Sequence, residues 1–207
     1  MPSNDNFITV PNIGLLLSKV PSSLINEIKQ EVYSIRDDFS KHVPVKGMLA
    51  GNIEKEFALI KCKSNVEKYI IQQTTSYATK YNYKSDEAMK QLPYVLDGLW
   101  VNFQKKGEFN PNHTHSGVMS FVIWLDIPFF IADEKNGAGK GSKKNVAGCF
   151  EVMYTNVLGA ICSYVFPADK TLEGNLLMFP SKMNHCVYPF YTSDDYRISV
   201  SGNIRLG

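Results

Sequence analysis

The second half of this 207-residue chain is a succession of short strand-like segments, and this pattern limits its possible folds more than any other feature. Leu99, Val101 and Phe103 alternate with Trp100 and Asn102, which is the period of a strand with two different faces. Short strands separated by turn residues are typical of a sandwich, a jelly roll or a barrel. Further segments of this kind lie at 118–128, 149–154, 160–166, 175–179, 185–189 and 196–204.

Two amphipathic helices are predicted in the first half of the chain. The first contains apolar residues at helical spacing and is expected to be capped by Ser22 or Ser23. The second is expected to begin at Ser64, with Glu67 completing a capping box. Strand candidates precede them at 7–10 and 15–17.

Composition excludes some broad classes of protein. Hydrophobic residues make up 44% and charged residues 20% of the chain, which is an ordinary globular balance. The net charge of +2 argues against a protein whose main role is to bind nucleic acid or an anionic membrane. No Gly-rich phosphate loop follows a strand, so the sequence does not indicate a nucleotide-binding protein. We expect one domain over residues 1–207, in which 1–94 supply helical support and edge strands and 95–207 form the core.

The expected compartment is the cytoplasm. The first residues lack a basic segment followed by a long apolar run, which a secretory signal requires. The four cysteines, Cys62, Cys149, Cys162 and Cys186, show no CxxC spacing. We therefore expect reduced, partly buried thiols.

Three of the four histidines form the candidate metal site. His113 and His115 are two residues apart, so in extended backbone both side chains point to the same face. His185 would join them from a distant strand, which a jelly roll permits. Imidazole suits Fe, Zn, Cu and Ni, and three ligands leave positions open for substrate. The alternative for the His113 and His115 pair alone is two polar loop residues.

A candidate anion site follows the third histidine. Arg197 lies twelve residues after His185, and alternation places Ser199 on the same face as Arg197. A buried guanidinium needs an anion, and its planar fork binds a carboxylate through two hydrogen bonds. The alternative is an Arg197 that pairs at the surface with Asp194 or Asp195.

These motifs resemble those of the iron(II)/2-oxoglutarate-dependent oxygenases, whose fold is a double-stranded β-helix, a form of jelly roll. The phrases Gly-Glu-Phe-Asn-Pro-Asn-His-Thr-His, Leu-Met-Phe-Pro-Ser and Arg-Ile-Ser-Val-Ser-Gly-Asn-Ile are similar to a prolyl-hydroxylase-like branch that bacteriophages often encode. The segment 49–56 fits the same branch. The resemblance implies a β-rich α+β fold with a jelly-roll core and supporting N-terminal helices.

The resemblance also implies roles for individual residues. His113 and His185 match the family's two histidine ligands, Arg197 matches the residue that holds the distal carboxylate of 2-oxoglutarate, and Ser199 matches its hydroxyl partner. His115 stands where the family usually has Asp or Glu. Such a site would bind iron with 2-oxoglutarate supplying the missing charge, prefer another divalent metal, or leave His115 unligated. We expect ligation, because the two-residue spacing is preserved.

The resemblance implies an iron- and 2-oxoglutarate-dependent hydroxylase that acts on a small-molecule or peptidyl substrate, such as an amino acid, and releases succinate and CO2. Asn102 is a further candidate contact for 2-oxoglutarate, and the segment 131–147 is expected to be an irregular loop, either a lid or an insertion. Two alternatives remain, a three-histidine cupin-like dioxygenase that does not use 2-oxoglutarate and a non-enzymatic jelly-roll binding or structural protein. The aromatic residues expected to wall the pocket are Trp100, Phe103, Trp124, Phe179 and Tyr188.

Overall fold

Ten strands form two antiparallel sheets in the computed structural model of the protein, which describes residues 12–45, 47, 49–81 and 91–207. The predicted strand at 7–10 lies outside the described residues. The larger sheet has the order β1-β8-β5-β10-β3-β2 and the smaller has the order β4-β9-β6-β7. The strands are β1 Leu16–Lys19, β2 Lys55–Ala58, β3 Tyr94–Gln104, β4 Asn110–His113, β5 Met119–Asp126, β6 Phe150–Thr155, β7 Ile161–Phe166, β8 Asn175–Pro180, β9 Asn184–Val187 and β10 Arg197–Leu206.

Two helices cover the outer face of the six-stranded sheet. They are α1, Ser22–Asp37, and α2, Lys63–Tyr81. Their buried residues Ile28 and Ile70 belong to the same apolar cluster as Val101 and Val200 of the sheet. Burial of this apolar cluster between the helices and the sheet stabilises the fold.

The inner face of the same sheet faces the four-stranded sheet. Trp124 and Phe179 from the larger sheet pack there with Phe150 and Val152 from β6. Two facing antiparallel sheets joined in this way are the jelly roll that the resemblance implied, so the expected fold class is confirmed. The candidate site lies between these two sheets, beside this second core.

Both predicted helix caps are wrong. The residue that precedes α1 in the capping position is Pro21, and neither Ser22 nor Ser23 caps it. At the start of α2, the Glu31 carboxylate accepts hydrogen bonds from the backbone N–H groups of residues 60–62. The Glu67 carboxylate instead accepts the N–H of Leu96. Tertiary partners from α1 and β3 therefore replace the local capping box.

The segment 131–147 is not irregular throughout. Its first residues form a short helix, α3, Ile131–Asn136. Glu134 in this helix is 0% exposed, and its carboxylate accepts the backbone N–H groups of Tyr191 and Thr192. These bonds satisfy the buried carboxylate and fix the chain that leads into β10.

The cysteines are unpaired thiols. Cys62, Cys149 and Cys186 are buried and Cys162 is half-buried. Within the described part of the chain, no helix combines the length and the apolar character needed to cross a membrane.

Candidate active site

The structure brings the three predicted histidines together between the sheets. His113 ends β4 and is the direct cross-strand partner of His185 on β9. His115 lies two residues beyond β4, and its backbone N–H is held by the carbonyl of Ser181 at 2.9 Å. One ring nitrogen from each histidine lies within 4.8 Å of the others. Three imidazoles at this separation can surround one metal ion.

Hydrogen bonds set the orientation of two of the rings. Nδ1 of His113 lies 2.7 Å from the carbonyl oxygen of Pro111, and Nδ1 of His185 lies 3.0 Å from that of Met183. A carbonyl only accepts hydrogen bonds, so each Nδ1 carries the proton. The neutral ring then has its lone pair on Nε2. Metal-binding histidines commonly show this arrangement, in which a second partner fixes the tautomer.

Two of the three histidines, His115 and His185, are uncharged at neutral pH. Burial, with the neighbouring His113 and His115, lowers the pKa of His185 to about 3 despite the opposing bond to Met183. Burial and His113 lower the pKa of His115 to about 4. A neutral imidazole is the form that ligates metal. The donor set therefore fits a divalent cation such as Fe(II), although imidazole alone does not select iron.

Aromatic side chains surround the histidines and exclude water. The ring of Phe179 lies 4.7 Å from the ring of His185, and that of Phe150 stacks on it at 5.7 Å. Trp100 meets His115 edge-on at 6.2 Å. The expected wall residues Trp100, Trp124 and Phe179 line the cavity that contains the histidines.

Two of the expected wall residues lie elsewhere. Phe103 belongs to the apolar cluster under the helices. Its position three residues after Trp100 puts it on the opposite face of β3, so alternation already excluded it. The hydroxyl of Tyr188 donates to Glu151 at 2.5 Å, and only its backbone carbonyl reaches the site, as a hydrogen-bond partner of Arg197.

Arg197 is buried at the cavity, with 2% of its surface exposed. Among the described residues, no carboxylate pairs with its guanidinium. Asp194 pairs with Lys106 instead, so the surface alternative for Arg197 is wrong. Burial lowers the pKa of Arg197 to about 10, which still leaves it charged at neutral pH. The site therefore presents a buried positive charge that a bound anion would neutralise.

Neutral oxygens hold the Arg197 side chain in place. Gln104 Oε1 accepts hydrogen bonds from Nε at 3.0 Å and from Nη2 at 2.7 Å. The carbonyl of Tyr188 accepts a second bond from Nη2, and that of Gly148 accepts one from Nη1. Four of the five guanidinium N–H groups are thereby used, and one on Nη1 remains for a ligand. Sequence reasoning missed Gln104, although its place opposite Arg197 follows from the pairing of β3 with β10.

Ser199 and Asn102 lie beside Arg197 on the cavity wall. Asn102 Nδ2 donates to the hydroxyl oxygens of Ser199, at 3.4 Å, and Ser201, at 3.3 Å. Each serine oxygen therefore accepts from Asn102, which leaves its O–H free to donate to a ligand. The intervening Ile198 and Val200 point into the helix-covered core, as alternation predicts.

Comparisons with known proteins agree with this geometry. The model of the family described as "Putative 2OG-Fe(II) oxygenase" matches residues 98–203, just over half of the chain. The match contains all three clustered histidines and Arg197. No curated protein matches the chain.

Solved structures of prolyl hydroxylases share the fold. A prolyl-4-hydroxylase from Pseudomonas putida is 15% identical with a TM-score of 0.54, and the match covers 93% of this chain and 92% of that one. A prolyl hydroxylase from Trichoplax adhaerens, in complex with a hypoxia inducible factor peptide, is 13% identical with a TM-score of 0.55, covering 94% and 83%. The viral collagen prolyl hydroxylase of Paramecium Bursaria Chlorella virus-1, in complex with 2OG, is 11% identical with a TM-score of 0.50, covering 92% and 94%.

The family match, the jelly roll and the histidine cluster agree with one another. Iron(II) and 2-oxoglutarate, written 2OG in the family's name, fit the three clustered imidazoles and the buried guanidinium beside them. The chain belongs to the 2OG-Fe(II) oxygenase family and is a 2-oxoglutarate-dependent dioxygenase.

Proposed function

We propose that this protein hydroxylates an amino-acid or peptidyl substrate and releases succinate and CO2, with His113, His115 and His185 as its metal ligands. The observation that carries the proposal is a buried, charged Arg197 without a carboxylate partner among the described residues, lining the same cavity as the three clustered histidines. The peptide bound to the Trichoplax relative favours a substrate of this class.

Charge explains why a third histidine is compatible with this chemistry. Three neutral imidazoles leave the two positive charges of the metal uncompensated, whereas the usual carboxylate would cancel one. The two carboxylates of 2-oxoglutarate supply two negative charges, so the cation and the co-substrate balance each other. We therefore assign His115 to ligation, with binding of the metal and of 2-oxoglutarate strongly coupled.

The residues of this chain position and shield the reactants. Bound iron(II) and 2-oxoglutarate supply the chemistry: with O2, 2-oxoglutarate loses CO2 to become succinate, and one oxygen atom enters a C–H bond of the substrate. The remaining Nη1 N–H of Arg197 and the Ser199 hydroxyl donate to the distal carboxylate of 2-oxoglutarate. Asn102 acts through Ser199, because its bond to Oγ directs the hydroxyl proton outward. Phe150, Phe179 and Trp100 keep water from the cluster.

The organisation of the chain supports one functional unit over residues 1–207. β1 and β2, from the first half, pair with β8 and β3 from the second and form both edges of the six-stranded sheet. These two strands thus complete the sheet that carries Arg197. The unpaired cysteines fit the reducing cytoplasm that we propose as its location.

The decisive experiment measures succinate after anaerobic loading with Fe(II) and exposure to O2. The wild type should convert 2-oxoglutarate, and Arg197→Gln should raise its KM by roughly 100-fold, since a charge-assisted contact is lost. Arg205→Gln is the matched control, because Arg205 lies on the same strand but is exposed and paired with Asp97. A cupin-like dioxygenase would bind iron yet form no succinate, and a structural protein would retain neither iron nor 2-oxoglutarate.

A further inference from the structure

His115 differs from the other two clustered histidines in how its ring is held. The rings of His113 and His185 each lie with Nδ1 at hydrogen-bonding distance from a backbone carbonyl. Among the described residues, the His115 ring has no hydrogen-bond partner, and it meets Trp100 edge-on at 6.2 Å. The position of this imidazole therefore depends on the backbone that carries it.

That backbone is the turn between β4 and β5, which is tied down at several points. The N–H of His115 donates to the carbonyl of Ser181 at 2.9 Å, and the N–H of Ser181 donates to the carbonyl of Val118 at 3.1 Å. The N–H of Val118 donates to the carbonyl of Ile204 at 2.7 Å. Gly117, with a φ of +87°, lies so close to β10 that an added Cβ atom would be 2.4 Å from the carbonyl oxygen of Ile204. The turn is therefore fixed between residue 181 and β10.

Three polar side chains form a chain behind this turn. Ser120 Oγ lies 2.7 Å from Oδ1 of Asn203 and 3.1 Å from Oγ of Ser181. An amide oxygen only accepts hydrogen bonds, so the Ser120 hydroxyl donates to Asn203 and accepts the hydroxyl proton of Ser181. Ser120 and Ser181 are 2% and 0% exposed. Because these bonds are buried, water does not replace them easily, and the chain holds Ser181 firmly.

The pairing of β10 with β5 places Asn203 at one end of this chain. Asn203 is the cross-strand partner of Ser120. Ser120 is among the described residues that line the histidine cavity, whereas Asn203 is outside that lining. Asn203 therefore touches the metal site only through Ser120 and Ser181.

We propose that Asn203, Ser120 and Ser181 are positioning residues for His115. The inference rests on the proposed ligation of the metal by His115. The side-chain hydrogen bonds fix Ser181, and its backbone carbonyl fixes the N–H of His115, which presents the ring to the metal. When the chain is broken, His115 has no ring hydrogen bond to preserve its orientation, whereas His113 and His185 keep theirs. Loss of the chain should therefore weaken His115 as a ligand and leave the other two in place.

NMR of the histidine ring nitrogens tests this selectivity. Zn(II) is the probe, because it is diamagnetic and because a metal-bound imidazole has ring nitrogen signals different from those of a free one. In the wild type, His113, His115 and His185 should all be bound. In Ser120→Ala, the His115 signals should move towards those of a free ring while the other two stay. Equal movement of all three, which a general loosening of the fold would cause, or no movement, would overturn the proposal.

The affinity for Zn(II), measured by competition with a chelator, shows whether the three residues act as one chain. Ser120→Ala and Asn203→Leu should each weaken binding by roughly tenfold, as losses of groups that support a ligand do. The double variant should bind as weakly as Ser120→Ala and no more weakly, because both changes break the same chain. Additive losses would contradict the proposal. Ser181→Ala tests the same chain should Ser120→Ala not fold.

Two further variants complete the experiment. Ser18→Ala is the matched control, because it removes a serine hydroxyl from β1 of the same sheet, where Ser18 lies near the hydroxyl of Tyr69. Its Zn(II) affinity should equal that of the wild type. If His115→Ala also binds Zn(II) as tightly as the wild type, the ligand assignment is wrong and the positioning role falls with it. If His115→Ala binds weakly while Ser120→Ala and Asn203→Leu do not, ligation stands and the positioning role is wrong.

Discussion

The two faces of the six-stranded sheet differ in polarity, although the same strands build both. On β10, Ile198, Val200 and Ile204 are packed under the helices. The alternate residues Arg197 and Ser199 line the cavity. The helix-covered face is held by apolar burial, whereas the cavity face combines apolar packing with hydrogen bonds that cross from strand to strand.

On this strand, the residues that pack in the helix-covered core and the residues that line the ligand cavity therefore lie on opposite faces. A substitution on the helix-covered face removes packing without touching the ligands. A substitution on the cavity face removes a ligand contact while the helices stay packed. The four predictions below test this separation, beginning with the largest expected effect.

His185→Ala should abolish iron retention and succinate formation. It removes one of three ligand nitrogens, and changes even in groups that only support a ligand lower metal affinity by about 10–100-fold. Metal analysis after gel filtration provides the measurement, and His42→Ala, outside the cluster, is the control. Stoichiometric iron in His185→Ala would show that the metal binds elsewhere.

Ile204→Ala should lower the free energy of unfolding by about 2–5 kcal/mol, because it leaves a hole in the fully buried core under the helices. Urea denaturation measures the loss. The affinity of the folded variant for 2-oxoglutarate should equal that of the wild type. A matching loss of affinity would mean that the two faces are not independent.

Gln104→Glu should weaken 2-oxoglutarate binding by roughly tenfold, although the new side chain has nearly the same shape as the old one. The new carboxylate would pair with the Arg197 fork that Gln104 Oε1 now occupies and cancel the charge that attracts the co-substrate. Calorimetric titration checks it, and saturating 2-oxoglutarate should restore turnover. An unaffected dissociation constant would mean that Arg197 does not hold the co-substrate.

Ser199→Ala should have the smallest effect, roughly a fivefold rise in the KM for 2-oxoglutarate, since it removes one uncharged donor while Arg197 still holds the same carboxylate. Steady-state succinate formation measures it. Ser201→Ala is the comparison, because Ser201 shares the Asn102 contact but lies one cavity-facing position farther from Arg197. Equal rises in both would assign the carboxylate contact to the amide network and not to Ser199.

The strand positions and the shared face of His113 and His115 follow from the sequence, because alternation is a local property. The shared face of Arg197 and Ser199 likewise needed only the period of a strand. His185 could join the pair only through the expected jelly roll, and the resemblance to a family then assigned it as a ligand. Alternation also separates Trp100 from Phe103, and overlooking this led to the wrong placement of Phe103.

The remaining features depend on pairing between distant segments. Gln104 reaches Arg197 through the register of β3 with β10, and Ser120 reaches Asn203 through the register of β5 with β10. Neither pairing register can be inferred from a single sequence. The helix α3 was missed because it is short and because its buried Glu134 is satisfied by backbone groups more than fifty residues away.

The pairing of His113 with His185 has a chemical consequence for the strand that carries the third histidine. β9 has only four residues, and Cys186 follows His185 on its outer face, beside Glu151. A slip of one residue against β4 would bring the thiol to the inner face in place of the imidazole. The register of this short strand therefore keeps the Cys186 thiol away from the place where oxygen is consumed.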